Sequence, residues 1–185
     1  MTKRIVIAGV LGGVAMFLWS FVAHMALPIG EAGIRDIPNG QALLASMSST
    51  LGGTSGLYLF PGMKGASFDE NVKAFAANPS GLLLYRPAGT TYNFGAMLGV
   101  QLLTQMVEAL LAAFLLAQTR IASFGGRVGF VTVAGVLAAM TTNVEYWNWY
   151  GFPAAYTSVY ALTQVAGYAI AGLIAGWLVR PKIAY

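Results

Sequence analysis

Three ionisable side chains lie within long apolar stretches of this sequence. They are His24, which is the single histidine, and the acidic residues Glu108 and Glu145. An ionisable group in a membrane span costs about 2.5–3.5 kcal/mol on insertion scales, so such residues are functional-site candidates by default. One imidazole with carboxylates suits a divalent metal ion, and a pair of carboxylates suits proton-linked transport. Metal binding and proton movement are therefore the chemistry that these residue types offer.

The depth of each side chain follows from the rise of a helix, which is about 1.5 Å per residue. Measured from the basic residues that precede their stretches, Glu145 lies about 27 Å away and His24 about 30 Å away. Both are therefore predicted near the same membrane interface, where they could meet. Glu108 lies about 18 Å from Arg120, close to mid-membrane. A metal site would use His24 and Glu145, with Glu108 in a deeper layer, although no ligand-spacing motif accompanies them.

Further polar side chains recur at helical spacing in the same stretches. Hydrocarbon cannot satisfy them, so they are predicted to face the interior of a helix bundle. Two interpretations stay open: the side chains form interhelical hydrogen bonds that fix the packing, or they line an outward-opening cavity that binds a ligand. The residues concerned are His24, Gln101, Gln105, Glu108, Thr142, Glu145, Asn148 and Gln164.

Small residues recur at four-residue spacing in three of the apolar stretches. A G-x-x-x-G pattern lets helix backbones approach closely. Packing within the chain is the interpretation we favour, and contact with a partner or with a second copy remains open. The pairs are Gly9 with Gly13, Gly95 with Gly99, and Gly172 with Gly176.

The residues needed for most enzymatic chemistry are missing. The chain has no cysteine and one histidine, which removes thiolate metal sites, Cys nucleophiles and paired axial histidines. Phosphate-binding glycine loops, G-x-S-x-G and H-E-x-x-H patterns do not occur. We predict no enzymatic activity and no cofactor, and an intramembrane enzyme would have few groups to use. The Lys and Arg residues are too scattered for nucleic-acid binding.

The composition predicts that much of this chain lies in lipid. Charged residues make up 9% and apolar residues 57%, whereas an average soluble domain carries about 25% charged residues. The sequence therefore predicts an α-helical integral membrane protein, with a four-transmembrane-helix bundle and a small α+β extracytoplasmic insertion between helices 1 and 2. The predicted segments are 1–28 (first helix, ended by Pro28), 29–93 (insertion), 94–118 (second helix), 119–128 (cytoplasmic loop), 129–150 (third helix), 151–156 (outer loop), and 157–185 (fourth helix and tail).

The positions of the cations predict the orientation. The first stretch is longer than the apolar core of a signal peptide, about 7–15 residues, and is taken as a retained helix. The six cations that flank the four helices then fall on one side, which the positive-inside rule makes cytoplasmic. We therefore predict a bacterial inner-membrane protein with both termini inside and 29–93 outside. The cations are Lys3, Arg4, Arg120, Arg127, Arg180 and Lys182.

Aromatic residues crowd the opposite ends of the third and fourth helices. An interfacial belt that anchors the bundle is the simpler interpretation, and a platform on which a ligand stacks is the alternative. The residues are Tyr146, Trp147, Trp149, Tyr150, Phe152 and Tyr156.

The insertion reads as a doubled helix–strand unit. A helix is predicted to begin at Asn39 or Gly40, and a second follows the capping-box pattern of Ser67 and Glu70. Each is followed by an apolar run, 55–61 or 80–87, with glycine before and proline after it. We predict a two-stranded ribbon packed on two helices. Two short strands are only marginally stable by themselves, so this domain should pack against the ends of the membrane helices or against a partner.

Two functions remain from different classes. The first is a non-enzymatic accessory or scaffold protein, which binds another membrane protein or its own copies through the insertion and the small-residue helix faces. The alternative is a small-molecule, ion or proton carrier, with an outward-facing polar cavity built on Glu145, Glu108 and His24. In both cases the lipid bilayer is the surrounding medium.

Overall fold

The computed structural model describes residues 2–27 and 29–180. It is mostly helical, at 69%, with one small two-stranded sheet. Four helices are long and apolar enough to cross a membrane, as the sequence predicts. They are the first span Thr2–Ala26, the second span Phe94–Ala117, the third span Phe124–Tyr150 and the fourth span Ala154–Leu178. The predicted stop at Pro28 and the cation Lys182 lie outside the described residues.

The described part of the chain contains eleven elements, and two of them are π-helical turns inside spans. In order they are α1 (Thr2–Phe21), a π-turn (Val22–Ala26), α2 (Gly40–Leu51), β1 (Gly56–Phe60), α3 (Phe68–Ala77), β2 (Gly81–Tyr85), α4 (Phe94–Ala117), α5 (Phe124–Ala139), a π-turn (Met140–Val144), α6 (Glu145–Tyr150) and α7 (Ala154–Leu178).

The third span begins earlier than the predicted start at 129. Ser123 has an extended backbone, and its side chain accepts a hydrogen bond from the backbone N–H of Gly126. This N-cap satisfies one of the free donors of the first turn, so α5 starts at Phe124 and the preceding loop is shorter than expected.

The spans pack in a definite order. α1 packs against α4 on one side and α7 on the other, and α7 packs against α5, whereas α4 makes only slight contact with α5 and α7. Alanine dominates the buried core, together with a few larger side chains. Small side chains allow helix axes to come close, which is how membrane helices gain packing energy. The core includes Ala8, Met16, Ala109, Ala112, Ala113, Leu116, Val131, Tyr168, Ala171 and Ala175.

Two of the three glycine pairs face a neighbouring span. A Cβ added at Gly9 would lie 2.8 Å from the Cα of Leu110, and one added at Gly13 would overlap the backbone of Met106. On the other side, a Cβ at Gly172 would lie 3.1 Å from the carbonyl oxygen of Val128. Its pair member Gly176 faces the same helix. These glycines therefore permit the contacts of α1 with α4 and of α7 with α5.

The pair on α4 is different. A Cβ added at Gly99 would meet nothing within 4 Å, and one added at Gly95 would meet only the side chain of Asn93, at 3.6 Å. Among the described residues, no span covers this small-residue face.

The insertion forms a compact unit of its own, Arg35–Tyr92. It contains the predicted ribbon, since β1 and β2 pair antiparallel with Leu57 opposite Leu84. The predicted capping box is also present, because Ser67 accepts from the backbone N–H of Glu70 and Glu70 accepts from that of Ser67. α2 begins at Gly40, as predicted.

This unit buries very little. Within 35–92, all of which the structure describes, Tyr85 is the one buried residue, and its hydroxyl donates to the carbonyl oxygen of Gly52 at 2.9 Å. The ring of Tyr58 meets that of Tyr85 edge-on, with centroids 6.3 Å apart. A unit with so small a core gains little from its own packing.

Candidate functional site

His24 lies in the π-turn that ends the first span. Its Nδ1 lies 2.8 Å from the carbonyl oxygen of Ser20. Because a carbonyl only accepts, Nδ1 carries the hydrogen in this bond, and Nε2 makes no hydrogen bond to another described residue. The ring meets Tyr160 edge-on, with centroids 5.5 Å apart, and the Tyr160 hydroxyl donates to the carbonyl oxygen of Gly30 at 3.3 Å. His24 is therefore positioned against α7 through an aromatic contact.

A continuous chain of rings connects His24 with the aromatic residues where the third span ends and the fourth begins. Tyr160 stacks on Tyr156 at 4.1 Å, and Tyr156 contacts Phe152 at 5.3 Å. Phe152 in turn contacts Tyr146 at 5.3 Å. The sequence predicts the crowding of these residues at one end of the spans, but the link through Tyr160 to His24 depends on the packing of α7.

Gln105 is the most buried of the predicted polar residues, at 6% exposed. Its Nε2 donates to the hydroxyl of Ser20 at 2.8 Å, while its Oε1 is buried without a partner among the described residues. Nearby, the indole of Trp19 donates to the carbonyl oxygen of Thr163 at 2.8 Å. Sequence reasoning missed Ser20 and Trp19. Their position near the C-terminal end of an apolar helix, next to His24, was the available signal.

Gln164 bonds a residue that the sequence analysis left out. Asn143 donates from Nδ2 to Oε1 of Gln164 at 3.1 Å and to the carbonyl oxygen of Ala139 at 3.0 Å. Asn143 belongs to the second π-turn. This bond therefore joins that turn to α7.

Glu108 lies half-buried on α4, with its carboxyl group beside the hydroxyl of Tyr168 on α7. Tyr168 is buried, and a Cβ added at Gly135 would overlap its side chain. The glycine thus makes room for the tyrosine between α5 and α7. Tyr168 is a further residue that sequence reasoning missed, although it follows Gln164 by four residues and so lies on the same face of α7.

Glu145 takes part in none of the contacts described above and lies in a groove with Thr142. It is exposed, and it lies in a surface groove with a volume of about 320 Å³. The hydroxyl of Thr142, in the same groove, donates to the carbonyl oxygen of Ala138 at 3.0 Å. The groove residues are Thr141, Thr142, Glu145, Tyr146, Trp149 and Tyr150.

The predicted polar residues are thus distributed over separate contacts. His24 meets Tyr160, Gln105 meets Ser20, and Glu108 lies beside Tyr168. Gln101 and Asn148 are both exposed. Over 2–27 and 29–180, no group of three or more His, Cys, Asp or Glu residues is placed to hold a metal ion.

Comparison with family models, with curated proteins and with solved structures found no match to this chain. The function must therefore be argued from the geometry described above.

Proposed function

We propose that this chain is a non-enzymatic accessory or scaffold protein of the cytoplasmic membrane, which binds another membrane protein or a second copy of itself. The observation that carries this proposal is an exposed leucine face on the ribbon. Leu57 and Leu84 stand directly opposite each other, at 64% and 66% exposed. Leu59 and Leu82 form the next pair on the same face.

An exposed apolar ribbon face of this kind is stabilised when another surface buries it. Side chains alternate between the two faces of a strand, so these four leucines point one way and Tyr58 and Tyr85 point the other. Isolated two-stranded ribbons are marginally stable in water. Burial of a leucine side chain is worth about 1.5–3 kcal/mol. A partner surface that covers the leucine face would supply the stability that the small core of 35–92 lacks.

The second span offers a matching contact within the membrane. The open pair Gly95 and Gly99 lies on the first turns of α4, and a Cβ added at either position would meet no other described span. Close helix approach at such a pair is a common basis for association in lipid. We propose that a helix of the partner packs there.

The polar contacts also favour the scaffold function over the carrier function. Gln105 pairs with Ser20, and Asn143 pairs with Gln164. Bonds of this type fix helices relative to one another, each worth about 0.6 kcal/mol. A carrier built on Glu145, Glu108 and His24 would need these three in one cavity, and each has different neighbours.

The proposal includes the topology. An integral four-helix bundle with both termini inside would place the insertion outside, in the environment where a periplasmic or external partner domain could meet it. The excess of Lys and Arg in the segments assigned to the cytoplasm supports this orientation.

To test the proposal, the full chain is purified in mild detergent and in nanodiscs. Light scattering and native mass spectrometry then measure the mass of the particle that contains it. A stable complex of defined composition is expected. In the double variant Leu57→Ser and Leu84→Ser, the complex should dissociate about 10-fold or more readily per leucine removed. Leu44→Ser is the matched control, since Leu44 is 65% exposed but lies on α2.

Two results would contradict the proposal. One is a wild-type chain that remains a single copy with no bound protein in both media. The other is equal dissociation in the ribbon variant and in the Leu44→Ser control, which would indicate a general loss of stability.

A further inference from the structure

The groove around Glu145 lies between two rows of side chains on the third span. One row is Thr141, Glu145 and Trp149, and the other is Thr142, Tyr146 and Tyr150. Within α6, Glu145 and Trp149 are neighbours, as are Tyr146 and Tyr150, because residues four apart lie together on an α-helix surface. The two threonines belong to the preceding π-turn and line the other end of the groove. The groove has a volume of about 320 Å³ and is open, since all six of its side chains are exposed. We propose that this groove binds an organic ammonium group, with Glu145 as its counter-ion.

The charge balance favours a cationic ligand. Glu145 is exposed in the groove. The sequence holds no Lys or Arg between Arg127 and Arg180, so neither the outer half of the third span nor the fourth span brings a cation to this carboxylate. A carboxylate in or near lipid is stabilised when a positive group joins it. The ligand supplies that group.

The aromatic wall favours an organic cation over a metal ion. Tyr146, Trp149 and Tyr150 line one end of the groove. Ammonium groups bind to the faces of such rings, and quaternary ammonium ligands are recognised by aromatic cages. A hard metal ion instead takes six or more oxygen ligands, and the groove contains one carboxylate.

The wall is also held in place before a ligand arrives. The ring of Tyr146 lies 5.8 Å from that of Tyr150 and 5.3 Å from that of Phe152. Trp149 is 77% exposed, so its indole is free to cover a ligand. Preformed aromatic contacts reduce the ordering that binding requires.

The threonines at the other end select for a donor ligand. Thr141 donates to the carbonyl oxygen of Leu137 at 3.1 Å, and Thr142 donates to that of Ala138 at 3.0 Å. Their hydroxyl hydrogens are thereby used within the helix, and what remains for a ligand is oxygen lone pairs. Acceptors beside a carboxylate suit an N–H donor or a positively charged methylammonium and disfavour an anion.

The ammonium could come from a phospholipid headgroup or from a free amine in solution. Both sources have the same chemistry at the groove, and two arms of one experiment separate them. In the first arm, the full chain is placed in nanodiscs of phosphatidylglycerol and titrated with ethanolamine or choline. In the second arm, phosphatidylethanolamine is mixed into the nanodiscs, and native mass spectrometry counts the lipids that remain bound.

Binding in either arm is expected for the wild type, and it should be weakened about tenfold or more by Glu145→Gln. Asp36→Asn removes one negative charge from the insertion and is the matched control, which should bind as the wild type does. Circular dichroism checks that each variant is folded. Trp149→Ser is the second variant, because so exposed a side chain can be removed without loss of packing, and it should weaken binding also.

The outcomes separate clearly. Binding in the first arm identifies a free amine, and binding in the second arm alone identifies a headgroup. The proposal is overturned if the wild type binds neither, or if folded Glu145→Gln and Trp149→Ser bind as tightly as the wild type. If Glu145→Gln does not fold, Trp149→Ser decides the matter.

Discussion

The Nε of Arg127 donates a hydrogen bond to the carbonyl oxygen of Gly176 at 2.8 Å, and this bond ties the first turn of α5 to the last turns of α7. The guanidinium also bonds the carbonyl oxygens of Ile121 and Ala122. Cations near a helix C-terminus interact favourably with its dipole and free carbonyls. A residue that the sequence presents as a topology signal is therefore also a buried structural clamp.

Replacement of this clamp should destabilise the spans. In Arg127→Met the buried carbonyl oxygen of Gly176 loses its donor, at a cost of about 1–3 kcal/mol. Arg120→Met removes the same charge from an exposed position in the loop before α5, and its unfolding free energy should stay within about 0.5 kcal/mol of the wild type. Unfolding in SDS, followed by circular dichroism, measures both. Equal losses in the two variants would show that charge, and not the clamp, is what matters.

The glycine pairs should respond to substitution according to what they face. Gly13→Ala places a methyl group against the backbone of Met106, and overpacking of this kind costs about 1–3 kcal/mol. Gly99→Ala meets no neighbour, so helix propensity should dominate and raise stability by up to about 1 kcal/mol. The same unfolding assay compares them in monomeric protein. A loss in Gly99→Ala as large as in Gly13→Ala would place a neighbour on that face.

The sequence predicts best those features that depend on local composition. Four spans follow from the length of the apolar stretches, and the capping box follows from Ser67 and Glu70 alone. The ribbon follows from two apolar runs with glycine and proline at their ends. In each case the signal and the structure lie in the same short stretch of chain.

The arrangement of the candidate site could not be predicted in the same way, because two π-turns interrupt the regular helical period at the candidate residues. Each π-turn inserts an additional residue into the helical ladder, so the residues after it rotate by about 100° relative to an uninterrupted α-helix. Glu145 and Asn148 follow the turn Met140–Val144 and are exposed, although a regular period would place them with the interior polar residues. Partners such as Tyr168 depend on which helices become neighbours, and this is a property of the whole fold.

The capping box predicts a pH dependence in α3. The Ser67 backbone N–H and hydroxyl donate to Glu70, and these bonds lower the pKa of the Glu70 carboxyl below its ordinary value of 4.5. The folded helix therefore binds this proton more weakly than the unfolded chain does. Its stabilising contribution is present above pH 4.5 and is lost as the pH falls through the lowered pKa.

Side-chain NMR of Glu70 in the full chain measures this midpoint directly. Amide signals of α3 should change with the same midpoint, and Ser67→Ala should move it upward towards the ordinary value. Glu70→Gln, which does not titrate, is the control for the amide signals. A wild-type midpoint that Ser67→Ala leaves unchanged would contradict this account of the capping box.

The absence of cysteine makes the proposed orientation directly testable. Because the chain has no thiol of its own, a single substitution gives one site for a membrane-impermeant maleimide. Ser80→Cys lies in the insertion and Ala122→Cys in the loop before the third span, and both positions are exposed. In intact cells the first should be labelled and the second protected, and permeabilised cells should label both. Since the proposed partner surface is Leu57 with Leu84, labelling of Ala122→Cys alone would move that surface to the cytoplasmic side and require a different class of partner.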